Sequence, residues 1–239
     1  MRAPLSYAQL AVGVMPNSPV KRLLLRACGH SVGRTATIGP VLLWRVGKMS
    51  LADGSTIRAF NVLRDLETVT LGKGASIGAW NWIAAARPFL RTFDGAGSLE
   101  LATDAAITSR HYIDCSGGVA IEAFAIVGGQ RTTILTHSIN FKTSEQTAEG
   151  VTIGHHSFVG TNSVVLKGAK LPSSSVLAAG SVLGRDRGDD RSGLWVGNPA
   201  AWVKVLDGAF FDRERGYVRV GSVPGTGSAN TSGAAGNGG

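Results

Sequence analysis

Glu149 to Leu183 reads EGVTIGHHSFVGTNSVVLKGAKLPSSSVLAAGSVL. Counted in sixes from Ile153, every stop is aliphatic: Ile153, Val159, Val165, Leu171, Leu177 and Leu183. The residue after each stop is small or a turn-former (Gly154, Gly160, Pro172, Ala178, Gly184), with Leu166 the exception. A helix would space its apolar residues by three and four, and a half-buried strand by two. Period six fits neither. It fits an internal repeat whose unit is one short strand and one corner. Such a unit cannot bury its stop alone. Three units closing a triangular coil of ~18 residues place every stop at the axis, where coil stacks on coil.

Outward from this stretch the sixes recur with interruptions. Val32, Ile38 and Trp44 set a first register, and Ile57, Leu63 and Val69 keep the spacing. Leu71, Ile77 and Ile83 restart it two residues out of phase, then Ala84–Gly97 breaks it and is expected to be a loop. Leu101, Ile107, Ile113 and Val119 resume, Ile121 and Val127 shift by two again, and Asn140–Gly150 is the most polar interruption. Before the repeats, Ser18 and Pro19 read as cap and first residue of a short helix over VKRLLLRACG. Leu23, Leu24 and Leu25 with Lys21, Arg22 and Arg26 make it a basic amphipathic piece, so it suits a plug on the open stack or contact with a membrane surface. After them, Gly184–Arg191 reads as a charged loop and Ala200–Leu206 as a short helical segment. The final GSVPGTGSANTSGAAGNGG has nothing to bury and is expected to be disordered.

The expected organisation is an N-terminal extension with a short helix (1–31), a β-helix domain with its C-terminal segment (32–206), and a C-terminal extension (207–239), disordered from about 221. The 239 residues can bury a sizeable core. A net charge of +8 favours an anionic partner. Aromatic residues are few and do not interleave with the basic ones, which argues against a nucleic-acid stacking platform. Cys28 and Cys115 form no metal pattern and read as buried thiols in a reducing compartment. No stretch approaches the ~18 apolar residues of a membrane span, so a soluble, cytoplasmic protein is expected.

Ile153-Gly, Val159-Gly-Thr-Asn-Ser, Val165-Leu-Lys-Gly-Ala-Lys, Ala179-Gly-Ser-Val and Gly197-Asn-Pro-Ala-Ala together resemble the hexapeptide-repeat acyltransferases, from about Ile107 to Val205 and more loosely from Val32 to Ile83. The similar branch is that of sugar, maltose or galactoside O-acetyltransferases and colanic-acid-type polysaccharide enzymes. The resemblance implies an all-β fold, a left-handed parallel β-helix, assembled as a homotrimer. It implies acetyl-CoA as acyl donor, a sugar or glycan acceptor and no required metal.

Relatives carry a histidine before a projecting loop, and Thr136-His137-Ser138 matches that context. A sugar hydroxyl is a poor nucleophile, and an imidazole with an ordinary pKa near 6.5 can take its proton near neutral pH. The resemblance therefore assigns His137 as the catalytic base. His111, in SRHYID, departs from the polar residues, often Asn, of the preceding coil in relatives, and serves either the acceptor or the structure. His155 and His156 read as solvated corner residues. By the same carry-over, coenzyme A is expected at Thr161, Ala179 and Arg185, with Lys167, Lys170, Arg187 and Lys204 extending a basic rim. Arg185 stands where relatives have Lys, and Arg185–Ser192 replaces a shorter, Pro-containing stretch. Two other readings stay open: a non-catalytic scaffold, and a carbonic-anhydrase-like zinc enzyme, which lacks its second histidine because Lys142 lies five residues beyond His137. The acceptor, hydroxyl or amine, and the acyl length are not encoded in these motifs.

Overall fold

The structure, a computed structural model, describes residues 3–214 and 216. Its body is the expected left-handed parallel β-helix. The chain passes in turn through three sheets, of seven, nine and seven strands, whose strands pair in parallel from coil to coil except for the last strand of the nine. Leu51 stands beside Leu71, Ile57 beside Ile77, and Leu63 beside Ile83. All six stops from Ile153 to Leu183 are at most 4% exposed, forming the axial column that period six demands. Each such side chain stabilises the stack by about 1.5–3 kcal/mol.

The two-residue phase shifts have a simple cause. Several strands of the first sheet point two residues inward: Met49 and Leu51, Val69 and Leu71, Leu99 and Leu101, Val119 and Ile121, Val151 and Ile153 are all buried. The next coil therefore repeats at twenty residues, as the Leu51–Leu71 pairing shows, after a first of nineteen (Val32–Leu51), and only past Ile153 does the Ile153–Leu171 pairing give eighteen. The first-coil register also differs at one stop. Leu43 is fully buried and Trp44 points out, where Tyr7 meets it edge-on at 5.3 Å.

Two helices, not one, precede the coils: α1 (Ala3–Gly13) and α2 (Pro19–Ala27). Ser18 caps α2 by accepting the Lys21 N–H, as expected. Lys21 is buried, and its ammonium donates to the carbonyls of Gly13, Met15 and Gly39 at 2.7, 2.8 and 2.6 Å. It thus staples α1, the inter-helix turn and the first coil together. Burial pulls its pKa down to about 8. Arg26 donates to the Val32 carbonyl. Two of the three cations in this segment therefore serve the plug.

The C-terminal end needs a correction. Ala200–Lys204 is a strand, not a helical segment, and it pairs antiparallel with Gly193–Gly197. Gly197, at φ 109°, reverses the chain, and seven residues rich in β-branched and aromatic side chains are too few to sustain a helix. Beyond it, His156 Nε2 meets the Arg213 carbonyl and Arg213 bonds the Phe124 carbonyl, which folds the chain back along the coils. The tail expected to be disordered from about 221 lies outside the described residues.

Both interruptions leave at one edge, the corner from the third sheet to the first. The segment 85–97 carries a short 3-10 turn at Arg87–Phe89. The polar segment is a hairpin, with His137–Asn140 antiparallel to Glu145–Ala148. No helix among the described residues is long and apolar enough to cross a membrane.

Candidate active site

His137 opens the hairpin, opposite Ala148, at the root where the Glu149 N–H bonds the Thr136 carbonyl. One coil earlier the strand Tyr112–Asp114 ends in a carboxylate on the same corner. Asp114 Oδ2 lies 2.7 Å from His137 Nδ1. The two positions are 23 residues apart in sequence and neighbours only because coils stack.

Asp114 is 6% exposed and accepts from every side. Oδ1 takes the Ser116 N–H at 3.1 Å and its hydroxyl at 2.5 Å. Oδ2 takes the Thr136 N–H at 2.8 Å and its hydroxyl at 2.7 Å, besides the imidazole. Burial pushes the carboxyl pKa up. The bonds from Ser116, Thr136 and His137 outweigh it and hold the group below its ordinary value, as a carboxylate. A carboxylate on Nδ1 fixes the proton there and leaves Nε2 with the lone pair, on a side chain one-third exposed. This arrangement can abstract a proton and return it.

The surroundings are built around this pair. Ala86 N–H donates to Ser116 Oγ at 2.8 Å, so the 85–97 segment is tied to a hydroxyl that itself holds Asp114. Phe89, buried, lays its ring 5.4 Å from the imidazole. Between that segment (Pro88, Phe89, Thr92, Phe93) and the hairpin (Gln146, Thr147, Ala148) opens a cleft of about 470 Å³. Cys115 is fully buried. Burial first, and then the Asp114 charge, keep its thiol protonated, so it offers no nucleophile.

His111 lies elsewhere, at the corner from the second sheet to the third. It is 2% exposed, its Nδ1 accepts the Thr132 N–H at 3.1 Å, and its Nε2 meets Thr108 Oγ1 at 2.8 Å. Its own N–H goes to Asn81 Oδ1, and the Asn81 N–H goes to Asn61 Oδ1, each at 2.8 Å. His111 is thus one rung of a column in which each side chain holds the next coil's backbone. Desolvation lowers its pKa to about 4, against a smaller opposing effect of the Thr132 bond.

Thr161 and Ala179 are exposed on that same corner, on successive coils. A Cβ on Gly160 would come within 2.6 Å of the Ala179 nitrogen, so coils approach here as only glycine permits. Arg185 stands at the His137 edge instead, bonded to Glu149 at 3.0 Å. Of the basic rim, Lys167 bonds hairpin Thr147, Lys170 pairs with Asp190, and Arg187 and Lys204 are exposed. His155 is exposed, whereas His156 stacks on Phe124 at 4.7 Å. Among the described residues no three His, Cys, Asp or Glu side chains stand together as metal ligands would.

Asp114 is the residue that sequence reading missed. Its signal was a carboxylate immediately after the stop Ile113, a place held by Ala84 on the coil before.

No family model matches the chain. Among curated proteins it is similar to the bifunctional protein GlmU of Sphingopyxis alaskensis, 29% identical over 163 residues; this covers 66% of the chain but spans only a third (33%) of GlmU. Among solved structures it is similar to the D94A mutant of AntD, an N-acyltransferase from Bacillus cereus in complex with dTDP and coenzyme A. The identity there is 16%, the TM-score 0.46, and the match covers 81% of this chain and 92% of that one. The polySia-specific acetyltransferase NeuO matches at 13% identity and a TM-score of 0.34, over 74% of this chain and 84% of NeuO.

Proposed function

We propose that this chain is an acyl-CoA-dependent O-acyltransferase that moves acetyl from acetyl-CoA to a sugar hydroxyl, in the synthesis of a cell-surface polysaccharide or glycoconjugate. The observation that carries the reading is the contact between the imidazole of His137 and the buried Asp114. A carboxylate held in place by Ser116 and Thr136 against the imidazole orients a base and stabilises the imidazolium that forms.

In the proposed reaction His137 Nε2 takes the hydroxyl proton as the oxygen attacks the thioester carbonyl. Backbone N–H groups beside the thioester would stabilise the tetrahedral oxyanion. Collapse expels the coenzyme A thiolate, which recovers the proton from the imidazolium, and base and carboxylate are regenerated. Arg185 follows His137 on the same edge and the segment 85–97 precedes it there, whereas Thr161 and Ala179 lie on the corner from the second sheet to the third. In this reading the donor approaches His137 from the Arg185 side and the acceptor from the cleft under Phe89. The working form is a cytoplasmic homotrimer in this reading, and no metal takes part.

The test is thiol release from acetyl-CoA with a panel of sugars and nucleotide-linked sugars. His137→Ala should abolish release and leave acetyl-CoA binding intact. Near-normal turnover in that variant removes His137 from the mechanism, and no release with any acceptor favours a scaffold.

A further inference from the structure

On the edge that carries His137 and Asp114, the coils before them hold a concentration of arginines. Arg45, Arg87 and Arg91 line a cleft of about 270 Å³ together with Gly47, Asp65, Glu67 and Leu90. Asp65 is 3% exposed and lies beneath the guanidinium groups. Arg45 reaches its two oxygens through Nε at 2.5 Å and Nη2 at 3.0 Å, and Arg64 approaches at 3.2 Å. Arg91 Nε is held by Glu67 at 3.1 Å. Arg87 is exposed and, among the described residues, makes no side-chain ion pair or hydrogen bond.

Three guanidinium groups thus share two carboxylates, which aim them, while Arg87 stands beside them without a carboxylate. Arg45 Nη1, both Nη groups of Arg91 and the whole of Arg87 remain as donors. The exposed Arg91–Glu67 pair adds little to stability and Arg87 has no pair among the described residues, so fastening does not account for these two side chains. Planar forks converging in this way match a phosphate, whose oxygens accept in pairs.

Position adds a constraint. Arg64 is in register with Ala84, and Ala84 with Asp114. Two strand spacings, about 10 Å, therefore separate Arg64 from Asp114, and Arg45, which follows Trp44, lies one spacing farther. Arg87 and Phe89 belong to one 3-10 turn, the first facing the cleft and the second the imidazole. A ligand lying across that turn presents one end to His137 and the other to the arginines. One sugar ring with a phosphate on its anomeric oxygen fits that reach.

We propose that the Arg45–Arg87–Arg91 cleft binds the phosphate or diphosphate of a glycosyl phosphate acceptor, so that the sugar acylated is an activated, phosphate-linked one. This rests on the acyltransferase reading for the word acceptor, but the anion site is testable without it.

The experiment titrates the full chain, saturated with coenzyme A to fill the donor side, with inorganic pyrophosphate and with a nucleoside diphosphate by calorimetry. Both should bind, and Arg87→Ala with Arg91→Ala together should weaken them by about tenfold or more. Arg34→Ala, an exposed arginine on the corner from the first sheet to the second, should match the parent. In turnover the double variant should raise KM for a nucleotide-linked sugar by a similar factor with kcat nearly kept. A lipid-linked diphosphate sugar in detergent distinguishes the second source of the same chemistry. Equal binding by parent and double variant, or turnover of free sugars as good as that of phosphate-linked ones, overturns the proposal. So does a double variant that loses thermal stability and binding together while Arg87→Ala alone loses neither, which would make the cluster a fastener. Anion binding at the cleft without thiol release from any acceptor keeps the site and removes the enzyme.

Discussion

Replacing His111 by Asn isolates what that buried ring does. Asn61 and Asn81 occupy the equivalent rungs, and each accepts the next coil's N–H through Oδ1. An Asn at 111 can accept the Thr132 N–H in the same way, so the column survives. The bond from Nε2 to Thr108 is lost, but Thr108 Oγ1 also bonds the Gly129 carbonyl at 2.6 Å, so the cost near neutrality is about 1 kcal/mol. The larger effect is on pH dependence. Burial denies the charged ring its solvent, so the folded pKa falls from 6.5 to about 4. Between those values the unfolded chain holds the extra proton. The wild type is therefore at full stability above about pH 6.5, and this contribution is lost as the pH falls toward 4. At ~1.36 kcal/mol per pH unit the loss approaches about 3 kcal/mol, and about 2–3 kcal/mol of it falls between pH 7 and 4.5. Urea unfolding of both proteins at those two pH values measures it. His30, also depressed by burial, titrates in both and cancels. Asp114, held below its ordinary value, titrates lower still. If the variant loses as much stability as the wild type on acidification, the neutral-ring assignment is wrong.

Asp114→Asn keeps the shape of the dyad and removes the charge that supports the imidazolium. Turnover should fall by roughly 10²–10⁴ with acetyl-CoA binding kept. Thiol-release kinetics check it, and unaltered kcat would detach Asp114 from the chemistry. Leu177→Ala, at a fully buried stop, should cost about 2–5 kcal/mol in chemical denaturation. A loss under about 1 kcal/mol would mean that the axial column relaxes freely. Arg185→Ala should raise KM for acetyl-CoA and spare kcat, since the side chain is exposed and, among the described residues, bonded to Glu149 alone. An unchanged KM places the carrier's phosphates elsewhere.

The fold was legible because one physical rule, an aliphatic residue on the axis once per side, imprints directly on the chain. Val159 or Leu177 could be read as core from spacing alone. The rule fails where a side of the triangle lengthens: two inward residues per first-sheet strand moved the register, and a one-residue shorter side put Leu43, not Trp44, on the axis. Helix α1 carries no capping box and little amphipathic contrast, so its sequence offered no boundary. Ala200–Lys204 went astray because a strand added by a turn at the open end obeys pairing, not periodicity. At the site, His137 was marked by its motif at the root of a polar interruption. Asp114 was not, because its partner is set by stacking between coils, and nothing in the local sequence tells which corner two residues 23 apart will share.

The register of the coils has a consequence for how such a molecule can change its substrate. Every residue on the His137 edge is fixed at whole multiples of one strand spacing, about 4.8 Å, along the stack. The helix is in effect a ruler with fixed ticks: Arg64, Ala84 and Asp114 mark successive divisions. No point substitution in the coils can slide one tick toward another. Reach between the reacting group and any distant contact changes by a whole division, through gain or loss of a coil, or not at all. Finer adjustment is left to the two segments that spring from the edge, 85–97 and the hairpin, which owe nothing to the period and can vary in length while the scale behind them stays the same.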